Sequence, residues 1–375
     1  EKAIKRIPFF CSEYLFSGTA NDKVVKGNAD IFNHVFLTPK YLKGTVQPST
    51  KQTIIGMEYS APFRVAPLGS AGLIWPGAEA ALAKMCTEKN IPYCLSSVAS
   101  QSLEQVAPNL NGKGWFQLYP PKDKTIRDDI IKRALDADYS ALVVTVDIPA
   151  TSRKERFLKA GITIPPKPNF RTFFQALLKP SWAFSTLLHG MPSFGTMTKY
   201  EFFGQDKIDN GWNEMPRYVD WQYLEEIKEL WDRPIILKGI LDEEDAVKAS
   251  TVVDAIWLSN HGGRQIDLVP SPLQLLPNIR KKLGKDFPVI IDSGFSSGQD
   301  IAKALALGAD FVMLGRPFMI GIAALGKKGA EHIHYILHDE LTNIMEQMCC
   351  KDISEIKFQN TTVSNEFFLH NPTGI

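Results

Sequence analysis

The chain has 375 residues, of which 44% are hydrophobic, and a formal net charge of +1. This allows a large core but no global field to gather nucleic acid, and no apolar run reaches the roughly 18 to 20 residues of a membrane-spanning helix. Cys11, Cys86, Cys94, Cys349 and Cys350 form an odd set without metal-ligand spacing, which fits reduced thiols in a cytoplasmic compartment rather than a disulfide framework or a metal centre.

In chain order, 1–62 reads as an N-terminal extension. It starts at Glu1 with no signal peptide and no initiator methionine, as a trimmed product would, and leaves a removed leader or fused domain open. Short β-rich runs then recur, each followed by a helical pattern. The run 63–67 precedes a helix through 79–89, 92–95 precedes 102–106, and 114–119 precedes 125–137. The run 141–147 leads into a long segment. Next come 234–238 with a helix at 242–249, an apolar run 252–258 that ends a strand at Ser259, then 288–292 and 311–314. The alternation predicts a parallel sheet, and eight such units predict a closed (β/α)8 TIM barrel. One domain would span 1–375. The barrel occupies 63–147 and 234–340, an insertion with its return helix 148–233, and a C-terminal segment 341–375.

The connection from Asp147 to Pro234 is about 90 residues long, and insertions of that size in compact domains are usually functional or disordered. Between 150 and 200 stand eight basic residues, Arg153, Lys154, Arg156, Lys159, Lys167, Arg171, Lys179 and Lys199, against one acid, Glu155. Phe170, Phe173, Phe174, Leu177, Leu178, Trp182, Phe184, Leu187 and Leu188 interleave with them. This mixture fits docking of roughly 158–200 on an anionic membrane surface. It fits equally a flap packed on the barrel or on a neighbouring subunit.

After the sixth strand comes Ser259-Asn260-His261-Gly262-Gly263-Arg264-Gln265. Two glycines allow a tight turn at a strand end. A base and a fixed cation three residues apart suit an anionic substrate that must lose a proton. The heptapeptide resembles the signature of the FMN-dependent 2-hydroxy acid oxidising enzymes, the family of glycolate oxidase, flavocytochrome b2, and the L-lactate and mandelate dehydrogenases. The resemblance runs from Pro8 to Asp147 and resumes from Lys238 past Arg316. The insertion, including His189-Gly190-Met191-Pro192, and the run Ile291 to Phe295 look most like the mandelate and L-lactate dehydrogenases.

The resemblance implies FMN as cofactor. Pro67, Leu68 and Gly69 would lay backbone against the flavin ring. Ser96, Gln117 and Thr145 end strands two to four, where each can hydrogen-bond a ring edge. Lys238 would stabilise the reduced, anionic ring, with Ser259 beside it. The phosphate would meet Asp292, Gly294 and Ser296, then Gly315 and Arg316, with backbone N–H groups and a helix N-terminus as donors. Relatives have arginine at the position of Ser296 and often a second basic residue at Ser297, so weaker FMN binding is expected.

The same resemblance makes His261 the base and Asp147 its carboxylate partner. Arg264 and Tyr14 would bind the substrate carboxylate, and Tyr119 would stand near the reacting group. Lys154 occupies the position of a substrate-binding arginine in an ungapped reading, with Arg153 as the alternative one residue away, and Phe157 stands where an aspartate is usual. Val98 and Gly69 replace larger residues and argue against glycolate, while Phe16 could refill part of the space. The expected reaction is oxidation of an L-2-hydroxy acid with a medium to large side chain to the 2-oxo acid. Electrons would pass to a quinone, a protein or oxygen. A flavin-binding protein without turnover is the alternative of another class. A homotetramer is implied, cytoplasmic, and peripheral on the inner face of the membrane if the insertion meets lipid. No nucleic-acid partner and no metal are expected.

Overall fold

A computed structural model of the chain describes residues 1–161, 169–190, 192–200, 219–357 and 361–368. Eight short parallel strands form its centre: β1 (Phe63–Val65), β2 (Cys94–Ser96), β3 (Trp115–Leu118), β4 (Ala141–Thr145), β5 (Ile235–Ile240), β6 (Ala255–Leu258), β7 (Val289–Ile291) and β8 (Phe311–Leu314). They pair in the order β1-β8-β7-β6-β5-β4-β3-β2. A parallel bridge from Val65 to Tyr93 brings the first strand round to the second and closes the ring. The expected barrel is therefore present. The sixth strand is shorter than the apolar run suggested, because 251–254 is a turn.

Alternation along each strand sorts the core into two layers. Ala141 and Val143 of β4 face the interior with Trp115, Trp257, Ile290 and Phe311, whereas Leu142 and Val144 face the surrounding helices. Those helices are α1 (Ala78–Glu88), α2 (Leu103–Val106), α3 (Lys124–Asp136), α4 (Trp221–Leu230), α5 (Glu243–Ala249), α6 (Pro272–Leu283), α7 (Gly298–Ala306) and α8 (Lys327–Gln347). Side chains that accept first-turn N–H groups start several of them, among them Asp123, Asp220, Asp242 and Ser297. The boundary expected at 340 falls inside α8.

The N-terminal extension serves both mouths of the barrel. A hairpin of Gln52–Ile54 and Met57–Tyr59 packs Ile54 and Tyr59 into the interior cluster just before β1. Helices Phe9–Phe16 and Lys23–Asp30 reach the opposite rim, where Tyr14, Val25 and Ala29 line a cleft. Val35–Leu37 pairs antiparallel with Thr361–Val363 and ties the two ends of the chain together.

The insertion forms helices Glu155–Ala160, Phe170–Leu177 and Pro180–His189. Part of the expected docking segment, 162–168 and 191, lies outside the described residues. Trp182 does not face solvent as the membrane reading assumed. It is 4% exposed, donates from Nε1 to Leu73 O at 3.1 Å, and meets Phe10 edge-on at 5.5 Å. By contrast Phe170, Phe173, Phe174, Leu177, Leu178, Phe184, Leu187 and Leu188 are all exposed. Much of the basic charge is already engaged: Arg156 with Glu13 and Asp22, Arg153 with Glu155, and Lys199 with Asp129. Among the described residues, no helix is long and apolar enough to cross a membrane.

Candidate active site

The C-terminal rim of the strands surrounds a cleft of about 380 Å³, the position at which this architecture gathers functional groups. Past β6 the chain turns through His261, Gly262 and Gly263 at φ of 56°, 63° and 75°. Glycine tolerates this conformation, but histidine there is strained by about 1 to 3 kcal/mol. The surroundings hold it in place. The His261 N–H donates to Ser259 Oγ at 3.0 Å, and the Gly263 N–H donates to Asn260 Oδ1 at 3.2 Å. Asn260 exchanges two hydrogen bonds with Asn28, at 2.9 and 2.7 Å. The N-terminal extension thus clamps the turn that carries the imidazole.

His261 Nδ1 lies 3.0 and 3.1 Å from the Asp147 carboxylate oxygens, and Nε2 lies 3.1 Å from the Tyr119 hydroxyl. Burial would raise the Asp147 pKa, but Lys238 and His261 more than reverse this and hold it below the usual carboxylate value. An ionised carboxylate only accepts, so Nδ1 carries the hydrogen and Nε2 presents a lone pair. Burial also keeps His261 below the ordinary imidazole value, with Asp147 opposing. The Tyr119 phenol, pushed well up by burial and by Asp147, keeps its proton and donates it to Nε2. Asp147 fits here because position 239 is glycine, where a Cβ would stand 2.6 Å from the Asp147 Cβ.

Successive strand ends carry a buried polar row. Ser96 Oγ donates to Gln117 Oε1 at 2.7 Å, and Gln117 Nε2 donates to Thr145 Oγ1 at 2.8 Å. Lys238 follows, donating to Ser259 Oγ at 2.9 Å, with Asp147 at 3.8 Å and Asp292 at 3.6 Å. Burial alone would lower its pKa, but these two carboxylates raise it, and the ammonium stays charged.

Three further cations line the cleft. Arg264 Nη2 donates to the carbonyls of Tyr14 and Leu15 at 2.9 and 3.2 Å. Arg316 donates to the carbonyls of Leu15, Ser17 and Gly262 at 3.2, 3.4 and 2.9 Å. The C-terminus of helix Phe9–Phe16, whose last carbonyls have no partner within the helix, is thereby satisfied by both guanidinium groups. Burial, with Arg264 adding, pushes Arg316 down to about 9. The same two causes push Lys154 down to about 7. Lys154 lines the cleft, whereas Arg153 is exposed and bonds Glu155 at 2.5 Å.

Several expectations need correction. The Tyr14 hydroxyl donates to Gly69 O at 2.6 Å, so its hydrogen must turn before it can meet a carboxylate. At the phosphate end, Ser296 lines the cleft, but its hydroxyl and N–H both donate to Asp300 Oδ2, at 3.0 and 2.9 Å. The Ser297 N–H takes the same oxygen at 3.0 Å, and the Gly298 N–H takes Glu340 Oε2 at 2.6 Å. The N–H groups of Ser296, Ser297 and Gly298 are therefore taken by carboxylates, and that of Asp300 by Ser297 Oγ at 3.2 Å, in the Ser297–Asp300 capping box. Arg316 has only main-chain carbonyls as hydrogen-bond partners among the described residues, which suits it to a phosphate. Phe16 is not among the residues lining the cleft; Phe194, from the far end of the insertion, is. No sequence signal marked Phe194, which stands 47 positions past Asp147. A Cβ at Gly69 would approach Val98 Cγ2 to 3.0 Å, so this glycine keeps space open beside Val98.

The donor set fits FMN: a polar row and an ammonium for a flavin ring edge, a half-buried guanidinium for a phosphate, and Pro67, Leu68 and Gly69 as an apolar wall. A family model described as FMN-dependent dehydrogenase matches residues 3–363. The chain is 34% identical over 369 residues to (S)-mandelate dehydrogenase of Pseudomonas putida, covering 96% of this chain and 92% of that protein. It is 35% identical over 359 residues to L-lactate dehydrogenase of Vibrio parahaemolyticus, covering 94% of each. Among solved structures, that of the monotopic membrane protein (S)-mandelate dehydrogenase superposes with a TM-score of 0.91 at 32% identity, over 97% of both chains. Mandelate oxidase with benzoyl-formic acid superposes with a TM-score of 0.83 at 28% identity, over 97% of this chain and 96% of that one.

Proposed function

Because this chain belongs to the FMN-dependent dehydrogenase family and is an FMN-dependent enzyme of 2-hydroxy acid oxidation, we propose that its substrate is an L-2-hydroxy acid of the lactate or mandelate type. The observation that carries this is the His261 imidazole, held by Asp147 at Nδ1 with Nε2 unprotonated and accepting from the Tyr119 hydroxyl, which must turn to the substrate before Nε2 takes a proton, in a cleft that also holds Arg264 and Lys154. FMN, when bound, supplies the two-electron acceptor. Lys238, Ser96, Gln117, Thr145 and Ser259 would hold its ring, and Arg316, Gly315 and Gly294 its phosphate, with Ser296 joining only by leaving Asp300.

Arg264 and Lys154 bind the substrate carboxylate, and Tyr14 joins them once its hydroxyl leaves Gly69. His261 Nε2 takes the proton that the substrate loses. Asp147 stabilises the imidazolium so formed without itself being protonated, and the Tyr119 phenol orients the reacting oxygen. Gly69 and Val98 leave room for a side chain, and Phe194 offers it an apolar contact.

The electron acceptor is a membrane quinone, reached when helices Phe170–Leu177 and Pro180–His189 dock their exposed phenylalanines and leucines on lipid. The monotopic membrane character of a similar mandelate dehydrogenase supports this. Oxygen is the second reading, favoured by the likeness to a mandelate oxidase. Anaerobic titration of the FMN-loaded protein across a panel of 2-hydroxy acids tests the substrate. Bleaching by L-lactate or (S)-mandelate supports the assignment, and a flavin that stays oxidised with both rejects it. Rapid recolouring by oxygen, with no turnover on a quinone, would select the oxidase.

A further inference from the structure

Below the cleft, the barrel interior holds a charge that the chemistry above does not use. Arg64 of β1 is 0% exposed, and its Nε, Nη1 and Nη2 find no hydrogen-bond partner among the described residues. Aromatic faces enclose it instead. Its Cζ lies 3.7 Å from the ring centroid of Trp115, 4.0 Å from Phe311 and 4.6 Å from Tyr59. Burial pushes its pKa down to about 9, which leaves the guanidinium charged at neutral pH.

Register fixes its place relative to the cleft. Residues two apart on a strand share a face and stand about 7 Å apart. Ala66, two residues after Arg64, faces the interior and lines the cleft. Met313, the partner of Arg64 across β8, does the same. Cys94 of the interior lies in the fields of both Lys238 and Arg64. The Arg64 backbone therefore stands just beneath the cleft floor, and its guanidinium lies deeper, among Trp115 and Phe311 at the starts of β3 and β8 and Tyr59 of the hairpin, in surroundings that screen it poorly.

Stability alone gives no account of this residue. Aromatic faces attract a cation, but they offset only part of the cost of removing it from water, and an apolar side chain would fill the same space without that cost.

We propose that Arg64 is a second fixed positive charge beneath the cofactor, which adds to Lys238 in stabilising the negative charge FMN takes up on reduction. Its field raises the midpoint potential of the bound flavin. The inference rests on FMN occupying the cleft, not on the substrate or acceptor proposed above, so its test is independent of both.

The experiment uses FMN-loaded enzyme and reads two quantities other than turnover: the midpoint potential and the dissociation constant for sulfite. Sulfite adds to oxidised flavin and leaves negative charge on the ring, so its affinity reports the same field. A unit charge at about 10 Å in a medium of effective dielectric about 20 changes such an equilibrium by roughly tenfold. Arg64→Met is expected to lower the potential and weaken sulfite binding by about that factor, with FMN still bound. Arg64→Lys, which keeps the charge, restores both. Wild-type potential and sulfite affinity in Arg64→Met overturn the proposal. So does a drop in Arg64→Lys as large as in Arg64→Met, which would assign the effect to packing. Should Arg64→Met not fold, Arg64→Gln removes the charge with a side chain closer in shape and is read in the same way.

Discussion

At the scale of single residues, the imidazole of His261 and the ammonium of Lys154 give the site two separable pH dependences. His261 must be neutral to accept a proton. Burial sets its pKa below the ordinary 6.5, so flavin reduction should persist into mildly acidic solution and fail only below that value. His261→Gln should leave FMN bound and slow anaerobic reduction by about 100- to 10,000-fold; near wild-type reduction would remove His261 from the role of base. Lys154 has the opposite sense. With a pKa of about 7, the free enzyme loses this cation as pH rises through neutrality, and affinity for an anionic substrate should fall over that interval. Lys154→Met should weaken substrate binding and abolish that limb of the profile, whereas Arg153→Met should do neither. If only the Arg153 change impairs binding, the cation at the carboxylate has been misassigned.

At the scale of elements, the insertion carries two different signals. Its basic residues attracted attention in the sequence, yet Arg153, Arg156 and Lys199 are paired with carboxylates and Lys154 is turned into the cleft. The large side chains that face outward are apolar, Phe170 at 86% and Leu187 at 80% exposed, with Lys159 and Arg171 exposed among them. A cluster of exposed apolar side chains on two neighbouring helices usually marks an interaction surface. Binding to lipid vesicles should therefore persist at high salt, because burial of apolar area is not screened as charge is. Co-sedimentation should fall sharply when Phe173, Phe174, Leu187 and Leu188 are replaced together by serine, while bleaching by substrate in solution is retained. Equal sedimentation of this variant and the wild type would reject the docking face.

At the scale of the whole molecule, the cleft joins the N-terminal extension, the strand ends and the insertion, so a ligand there couples distant parts of the chain. FMN should raise the unfolding midpoint by mass action, with a contribution of about 2.7 kcal/mol at a hundredfold excess over its dissociation constant. Ser296→Arg should tighten FMN binding and enlarge that shift at fixed FMN, since a charge-assisted contact to phosphate is roughly twice as strong as a neutral one. Asp300, which now accepts from Ser296 and Ser297, could capture the new arginine. An unchanged or raised dissociation constant would mean that position 296 does not serve the phosphate.

The amino-acid sequence by itself determined the barrel, because eight buried strands read as short apolar runs whose spacing local chemistry sets. It also named His261, Lys238 and Arg264, which line the cleft, and Asp147 and Gln117, which stand behind it against His261 and in the row from Ser96 to Thr145. These were legible because the motifs that carry them resemble those of the family. Tertiary structure alone decided what depends on contacts between remote segments: Phe194 entering the cleft from the insertion, Asn28 clamping the His261 turn, and Trp182 leaving the surface to pack on Leu73 and Phe10. It also decided which charges are free. A lysine or arginine reads alike in a sequence whether it meets solvent, a carboxylate or, as Arg64 does, three aromatic rings in a closed barrel, and only the packed chain sets the medium around it.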